Sequence, residues 1–334
     1  MPSRTFFDDL PADARARLRK RPQPAWFPPM LATLVHQVFS REGWLFEPKL
    51  DGERCLVFRN GEHLNLFSRN HQLLNLRYPE LVEAFQIQEA ASFIVDGEIV
   101  TFERGVTSFA KLQQRMQVQQ PSAQLRRRVP VWFYAFDLMY LASYDTRQVP
   151  LWYRKELLAR ALDFKDPLRF TEHRNTEGEA YYREAYKKRW EGVMAKNADS
   201  AYVSKRSRDW LKFKCISQQE FVIGGYTEPH GERGGFGALL VGYYDVGKLV
   251  YAGKVGTGYD RATLLRLSKQ LRALESNVSP FAGNGLQRRG VHWVKPKLVA
   301  EIGFTEWTPE SKLRHPRFLG LRTDKDPNEV VQEK

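Results

Sequence analysis

EPKLDGER, residues 47 to 54, is the stretch whose reading decides what kind of fold this chain must build. It follows the apolar run WLF (44–46) and alternates acid, base and acid around a lysine. On a strand Glu47 and Lys49 point to the same face. Asp51 and Gly52 then suit a tight turn that aims Lys49 into a pocket. Such a cluster is either a solvated surface or the frame of a nucleophile. Lysine attacks only when neutral, and a free lysine titrates near 10.4, so a protein must favour the neutral form by burial or by neighbouring cations. The apolar approach supplies burial. Arg54, and Lys212 and Lys214 of the later segment WLKFK (210–214), are the candidate cations.

The surrounding pattern is β-rich. WLFEPKLDGERCLVFRNGEHLNLFSRN holds apolar runs split by NG, a hairpin signal. Helices are expected over PADARARLRK, YPELVEAFQIQEA, SFAKLQQRMQVQ, YRKELLARAL and EGEAYYREAYKKRW, and a long aromatic strand over VWFYAFDLMYL. SFIVDGEIVTFE reads as a buried strand broken by a DG turn. After Lys214 the texture becomes a glycine-punctuated series of short strands with one helix, ATLLRLSKQLRALE, and a strand pair around WVKPKLVAEIGFTEWT. Five or so strands and one helix suit a small Greek-key barrel of OB type. The fold expected is therefore α+β, with antiparallel sheets and helices up to a boundary near Cys215–Gln218 and an OB-type barrel after it.

The chain has 334 residues, room for two ordinary domains, and 42% hydrophobic content, enough for sizeable cores. No run of 18 or more apolar residues exists to span a membrane, and the N-terminus has no apolar signal core. Cys55 and Cys215 lie too far apart in sequence for a zinc spacing and read as reduced thiols. A cytoplasmic protein is expected. Its formal charge of +13, with basic clusters ARLRKR, QLRRRV (124–129) and YKKRW (186–190), points to a polyanionic partner bound through its backbone.

Further charged residues stand in strand-like settings. Glu98 in VDGEIV (95–100) and Glu191 in EGVMAK (191–196) are carboxylates that burial would penalise unless paired or metal-bound. Lys212 and Lys214 share a strand face, which is unfavourable unless an anion lies between them. Taken in order, KLDGER (49–54), FSRN (67–70), VDGEIV, WFYAFD (132–137), EGVMAK, WLKFK and GLRTDKDP (320–327) resemble the collinear motifs of the nucleotidyltransferase superfamily of ATP-dependent DNA ligases, RNA ligases and mRNA capping enzymes. The finer similarity is to the ligase module of bacterial non-homologous end-joining ligases, of the ligase D type and its standalone relatives such as ligase C. PPMLATL (28–34), GWLFEPKLDGER, TSFAKLQQRM, AGKVGTG, AEIGFTEWT and LRHPRFLGLR carry it, from about Pro28 to Pro327. One departure is Glu53, where that group commonly has an aromatic residue; no role for it is legible.

The resemblance implies a nucleotidyltransferase, ATP-grasp-like adenylation domain (28–216) followed by an OB-fold domain (217–334), hinged at Cys215–Gln218, with residues 1–27 an N-terminal extension outside it. It implies that Lys49 forms a covalent bond to AMP, with Asp51 shaping the turn, and that Glu47 accepts a hydrogen bond from the adenine amino group. Phe136 stacks on adenine, and Glu98 contacts the ribose. Glu98 and Glu191 hold Mg²⁺, or Mn²⁺ in its place. Lys196 belongs to the nucleotide site, and Lys212 and Lys214 bind the α-phosphate. Arg54 and Arg69 hold the 5′-phosphate of a nick. Arg322 and Lys325, with Asp324 between them, orient the departing pyrophosphate when the barrel closes. The function implied is sealing of nicked duplex DNA by an ATP-dependent ligase in DNA repair, as a monomer, near the bacterial nucleoid, with a Ku-like end-binding protein as a candidate partner. A capping guanylyltransferase or an RNA ligase of the same superfamily, and a non-catalytic OB-type nucleic-acid-binding protein, are the other readings. Residues 103–130 are a candidate DNA clamp.

Overall fold

The computed structural model describes residues 6–215, 218–229, 235–283 and 289–333. It divides into two compact units, Met1–Ile216 and Ser217–Lys334. Part of the expected hinge, residues 216–217, lies outside the described residues.

The first unit is built on two sheets. In the larger, the strands Glu53–Asn60, Ser92–Val100 and Trp132–Leu141 run antiparallel side by side, with His63–Ser68 beyond Glu53–Asn60 and Tyr144–Asp145 beyond Trp132–Leu141. In the smaller, Trp44–Lys49, Gly192–Asn197 and Arg206–Lys214 form an antiparallel core. Two pairings are parallel: Leu31–Leu34 beside Arg206–Lys214, and Leu168–Phe170 beside Trp132–Leu141. Alternation divides each strand between two environments. Cys55, Val57, Phe93, Val95, Ile99, Phe133 and Ala135 join a large core that also takes in Leu157 and Leu158 of the helix Leu151–Ala161. Leu56, Phe58, Ile94 and Phe136 fall on the other face, with Phe27, Met30, Tyr202 and Trp210.

Two expected elements of the first unit are corrected. The Asp96–Gly97 pair is no turn: Ser92–Val100 is one continuous strand. Gly97 is needed because a side chain there would meet the Phe133 ring, whose nearest atom lies 2.2 Å from the Cβ position. PADARARLRK forms only the single turn Ala12–Arg15, after which Arg19–Lys20 pairs with Tyr144–Asp145. The described part of the N-terminal segment is fastened to the first unit's body. Phe7 and Leu10 are buried in the large core, and Gln23 donates to the carbonyls of Arg59 and Phe93.

In the second unit a six-stranded antiparallel sheet surrounds a separate core of Phe221, Ile223, Val241, Leu267, Val299 and Phe318, the OB-type arrangement. Gln218–Thr227 and the long strand Val291–Gly303 form its spine, and WVKPKLVAEIG is thus one strand where a pair was expected. The helix Arg261–Arg272 starts at Asp260, whose carboxylate accepts from the Thr263 N–H. Among the described residues no helix is long and apolar enough to cross a membrane.

Candidate active site

The smaller sheet of the first unit sorts its residues by parity. Phe46, Val193, Ala195, Leu211 and Phe213 point into an apolar cluster. The intervening positions put Leu45, Glu47, Lys49, Met194, Lys196, Trp210, Lys212 and Lys214 on the opposite face. Register lines them up: Lys49 is opposite Gly192 and Gly192 opposite Lys214, while Glu47 is opposite Met194 and Met194 opposite Lys212. Three lysines distant in sequence thus stand on one face because the ladder puts them there. Gly192 makes the arrangement possible: a Cβ at this position would lie 1.9 Å from the Phe213 carbonyl oxygen.

Lys49 ends its strand with its ammonium ion-paired to Glu191, the residue immediately before the neighbouring strand Gly192–Asn197. The turn after it is fixed from two sides. Asp51 accepts from the Phe109 N–H at the start of the helix Phe109–Met116, where the helix dipole favours a carboxylate. Its own N–H donates to Thr107 Oγ1. Gly52 lets the turn press against the Ser92–Val100 strand, since a Cβ there would be 2.2 Å from the Ile99 carbonyl oxygen.

Across from this face stands the larger sheet. Arg54 and Glu98 are opposite each other in register, and Glu98 is half-buried. Phe136 sits where the register between Ser92–Val100 and Trp132–Leu141 slips, between Ala135, opposite Gly97, and Asp137, opposite Asp96. Alternation from Phe133 and Ala135, which join the large core, puts Phe136 on the opposite face with the charged residues, and the slip after it returns Leu138 to the core side. Its ring meets Trp210 edge-on at 6.0 Å, with Lys196 Nζ 4.2 Å and the Arg54 guanidinium 4.7 Å from its centroid. Arg54 donates to both oxygens of the fully buried Asp96, at 2.5 Å each, and to the Met30 carbonyl at 3.3 Å. Asp96 also accepts from the Tyr202 hydroxyl at 2.6 Å. Burial alone would lower the Arg54 pKa; the Asp96 carboxylate overrides it and holds the guanidinium firmly charged.

Glu47 is buried at 1% exposure, with Lys155 Nζ at 2.6 Å from one carboxylate oxygen and Lys196 Nζ at 2.6 Å from the other. Burial pushes its pKa up, but the two ammonium groups outweigh that and hold it below the usual carboxylate value. Lys196 is displaced the other way: burial first, and Lys155 after it, lower its pKa against the pull of Glu47. Arg69 follows the strand His63–Ser68 and is half-buried. In the second unit, Arg322 forks onto Asp324 at 2.9 and 2.7 Å and lies 3.5 Å from Glu301, while Lys325 Nζ is 3.6 Å from Glu220.

The first unit therefore brings together Glu47, Lys49, Lys196, Lys212 and Lys214 on one sheet face, and Arg54, Glu98 and Phe136 on the other sheet. Three contributors had no role assigned from sequence. Glu53 is fully buried, accepting from the Tyr78 hydroxyl at 2.5 Å and from Arg77 at 3.2 Å, so it ties the first hairpin to the chain segment beside it. Asp96 anchors Arg54. Lys155 anchors Glu47, and a signal for it exists: Leu151, Arg154, Lys155 and Leu158 are all buried at the i, i+3, i+4, i+7 positions of a core-facing helix stripe. Two of those four positions are charged.

Residues 29–214 match the family model of the ATP dependent DNA ligase domain, and residues 232–325 that of the ATP dependent DNA ligase C terminal region. The chain belongs to the ATP-dependent DNA ligase family. Within it, the chain is 37% identical over 323 residues to the "Multifunctional non-homologous end joining protein LigD" of Pseudomonas aeruginosa, a match covering 94% of this chain and 38% of that protein. It is 37% identical over 316 residues to the LigD of Mycobacterium tuberculosis, covering 91% of this chain and 40% of the relative. The chain thus spans about two fifths of the length of these relatives. Among solved structures, "mycobacterial DNA ligase D complexed with ATP and MES" superposes with a TM-score of 0.65 at 36% identity, covering 92% of this chain and 98% of that one.

Proposed function

We propose that this chain seals nicks in duplex DNA through a Lys49–AMP intermediate and a DNA–adenylate. The observation that carries the reading is the ladder that sets Lys49, Lys212 and Lys214 on one charged face opposite the Phe136 ring and the Glu98 carboxylate. A lysine nucleophile, cations for a phosphate and a ring for a base lie on the facing sides of the two sheets of the first unit, which meet at Phe136, Trp210, Lys196 and Arg54.

In the first step Lys49 Nζ attacks the α-phosphorus of ATP, the bond to the β-phosphate oxygen breaks, and pyrophosphate leaves. Before that attack the Lys49 ammonium, held by Glu191, passes its proton to that carboxylate, and the neutral amine is the nucleophile. Lys212 and Lys214 neutralise charge growing on the α-phosphate oxygens. In the second step the nick 5′-phosphate displaces Lys49 from the adenylate. In the third the 3′-hydroxyl attacks the activated phosphate and AMP departs. Positioning does most of the work in transfers of this kind.

A divalent ion fits the residues present. Glu191 Oε2 is buried and has no hydrogen-bond partner among the described residues, while Oε1 takes Lys49. Mg²⁺ needs only one or two carboxylates beside phosphate oxygens and water. We assign Glu191 and Glu98 to hold it, where it would add positive charge against the phosphates. Exposed Arg17, Arg19, Lys20, Lys187 and Lys188 suit contact with a DNA backbone. Ligation in end joining, assistance by a Ku-like protein, action as a monomer and residence in the cytoplasm are part of the same proposal.

Lys49→Ala is expected to abolish the labelled protein–AMP adduct formed from ATP. Persistence of the adduct would remove Lys49 from its role. Labelling by GTP alone would favour a guanylyl-transfer reading. Sealing of a nicked RNA duplex in preference to DNA would reassign the substrate, and end joining with and without Ku tests the partner.

A further inference from the structure

The cluster behind Lys49 carries an uneven charge. Glu47 has two buried ammonium groups on one carboxylate, a net charge of +1 in a site shielded from water. Lys196 is the expected partner, since it stands on the same sheet face. Lys155 is not: it comes from the helix Leu151–Ala161 and is 2% exposed. It also donates to the Thr171 carbonyl at 2.9 Å, and its Nζ lies 4.7 Å from the Phe170 ring centroid. The helix that carries it is pinned one residue earlier, where Arg154 forks onto Asp137 at 2.7 and 2.8 Å and donates to the Val149 and Ser200 carbonyls. Lys155 therefore enters the cluster from a rigid element. Beside it, Thr171 Oγ1 and His173 Nδ1 are buried without hydrogen-bond partners among the described residues.

We propose that Lys155 is a specificity-determining positioning residue: it holds Glu47 in place as an acceptor for the 6-amino group of the incoming purine, and so sets the preference for ATP over 6-keto nucleotides. The inference rests on the reading of Glu47 as the adenine contact given above.

The chemistry follows from the hydrogen-bond inventory. An ionised carboxylate accepts about four hydrogen bonds and donates none. Two of those positions are taken by Lys155 and Lys196, which leaves acceptor capacity for an amino group. A 6-keto oxygen offers only lone pairs and is repelled. If the carboxyl were protonated, it could donate to a 6-keto oxygen, and the discrimination would fade. A buried carboxyl tends to protonate, and the ammonium groups oppose that. Lys196 also lies 4.2 Å from both the Phe136 and Trp210 ring centroids, so it is shared between the rings and Glu47. Lys155 is the cation tied to Glu47 from a fixed helix.

The test measures adduct formation, as kcat/KM, with three triphosphates: ATP, purine riboside triphosphate, which has no 6-substituent, and inosine triphosphate, which has a 6-keto group. The wild-type chain is expected to prefer ATP over purine riboside triphosphate by tenfold or more, roughly the value of a hydrogen bond to a charged group. In Lys155→Met that preference is expected to fall about tenfold, with the discrimination against inosine triphosphate falling alongside it. The reaction with purine riboside triphosphate is expected to stay near wild type, which reports a folded protein. Lys155→Arg, which retains the charge, is expected to restore the ATP preference. A wild-type chain indifferent to the 6-amino group would overturn the reading of Glu47 and this inference with it. A wild-type preference that survives intact in Lys155→Met would overturn this inference alone. Should Lys155→Met fail to fold, Lys155→Gln, which keeps a donor for the Thr171 carbonyl without the charge, is read by the same criteria.

Discussion

Gly192→Ala places a methyl group between the two strands that carry Lys49 and Lys214. That methyl would lie 1.9 Å from the Phe213 carbonyl oxygen and 3.0 Å from the Lys214 Cα. Bringing the closer contact out to 3.0 Å, the shortest approach real side chains show, needs a shift of about 1.1 Å in the local ladder. Neither neighbour is the tip of a flexible side chain; both are backbone, so the strand itself must move. Lys49 and Lys214 flank this position in register, and their separation changes with it. A misplacement of about 1 Å in a site of this kind costs on the order of a hundredfold in rate. Single-turnover formation of the protein–AMP adduct, with ATP labelled at the α-phosphate, reads that loss directly. A thermal melt run alongside shows how far the fold is affected. The alanine variant is expected to stay folded, with a lowered melting temperature, and to form the adduct about a hundredfold more slowly. A rate within about threefold of wild type would refute the claim that ladder spacing at Gly192 sets the distance between these lysines.

Three further outcomes are expected. Asp137→Ala leaves the fully buried Arg154 guanidinium without its carboxylate, and denaturant unfolding is expected to show a loss of about 3–5 kcal/mol. Because the folded-state pKa of Glu47 lies below its ordinary value of 4.5, its ionisation stabilises the fold above that value and the benefit is lost as pH falls through the folded pKa. The stability gap between wild type and Glu47→Gln, followed by denaturant unfolding, is therefore expected to be largest at neutral pH and to shrink below pH 4.5; a gap independent of pH would contradict the pairing. Arg127 and Arg128 are exposed on the last turn of the helix Ala123–Arg128, and replacing both with Ala is expected to weaken nick binding and reduce the salt dependence of log K by up to about 2. An unchanged slope would discard a clamp role for this segment.

The strands and the charged frame of Lys49 were legible in the sequence because both rest on local rules. Period two is visible in WLFEPK and WLKFK, and two such strands laid side by side explain one charged face and one apolar face. What local rules could not show were features set by a distant partner. The DG of SFIVDGEIV looks like a turn, yet its glycine makes room for a phenylalanine 36 residues further on. The change of parity after Phe136, which returns Leu138 to the large core, depends on a register slip between strands. Glu53 had no legible role because Arg77 and Tyr78, which bind it, lie beyond the next strand. Residues 103–130, considered as a loop, hold a short hairpin and two helices, and Arg115 within them is buried against Glu80 and the Val129 carbonyl.

The parity of the smaller sheet separates two kinds of mutational damage. Positions such as Phe46, Ala195 and Phe213 determine whether the sheet persists; Lys49, Lys212 and Lys214 sit on its other side. Loss of one of the latter is expected to silence the chemistry while the architecture survives. On the proposed nick-sealing reading, a chain disabled in that way is expected to remain a well-formed competitor for nicked DNA, occupying a site it cannot close. On that reading, in a cell carrying both versions such a variant is expected to be more harmful than one that never folds, because it would hold the nick against the working copy.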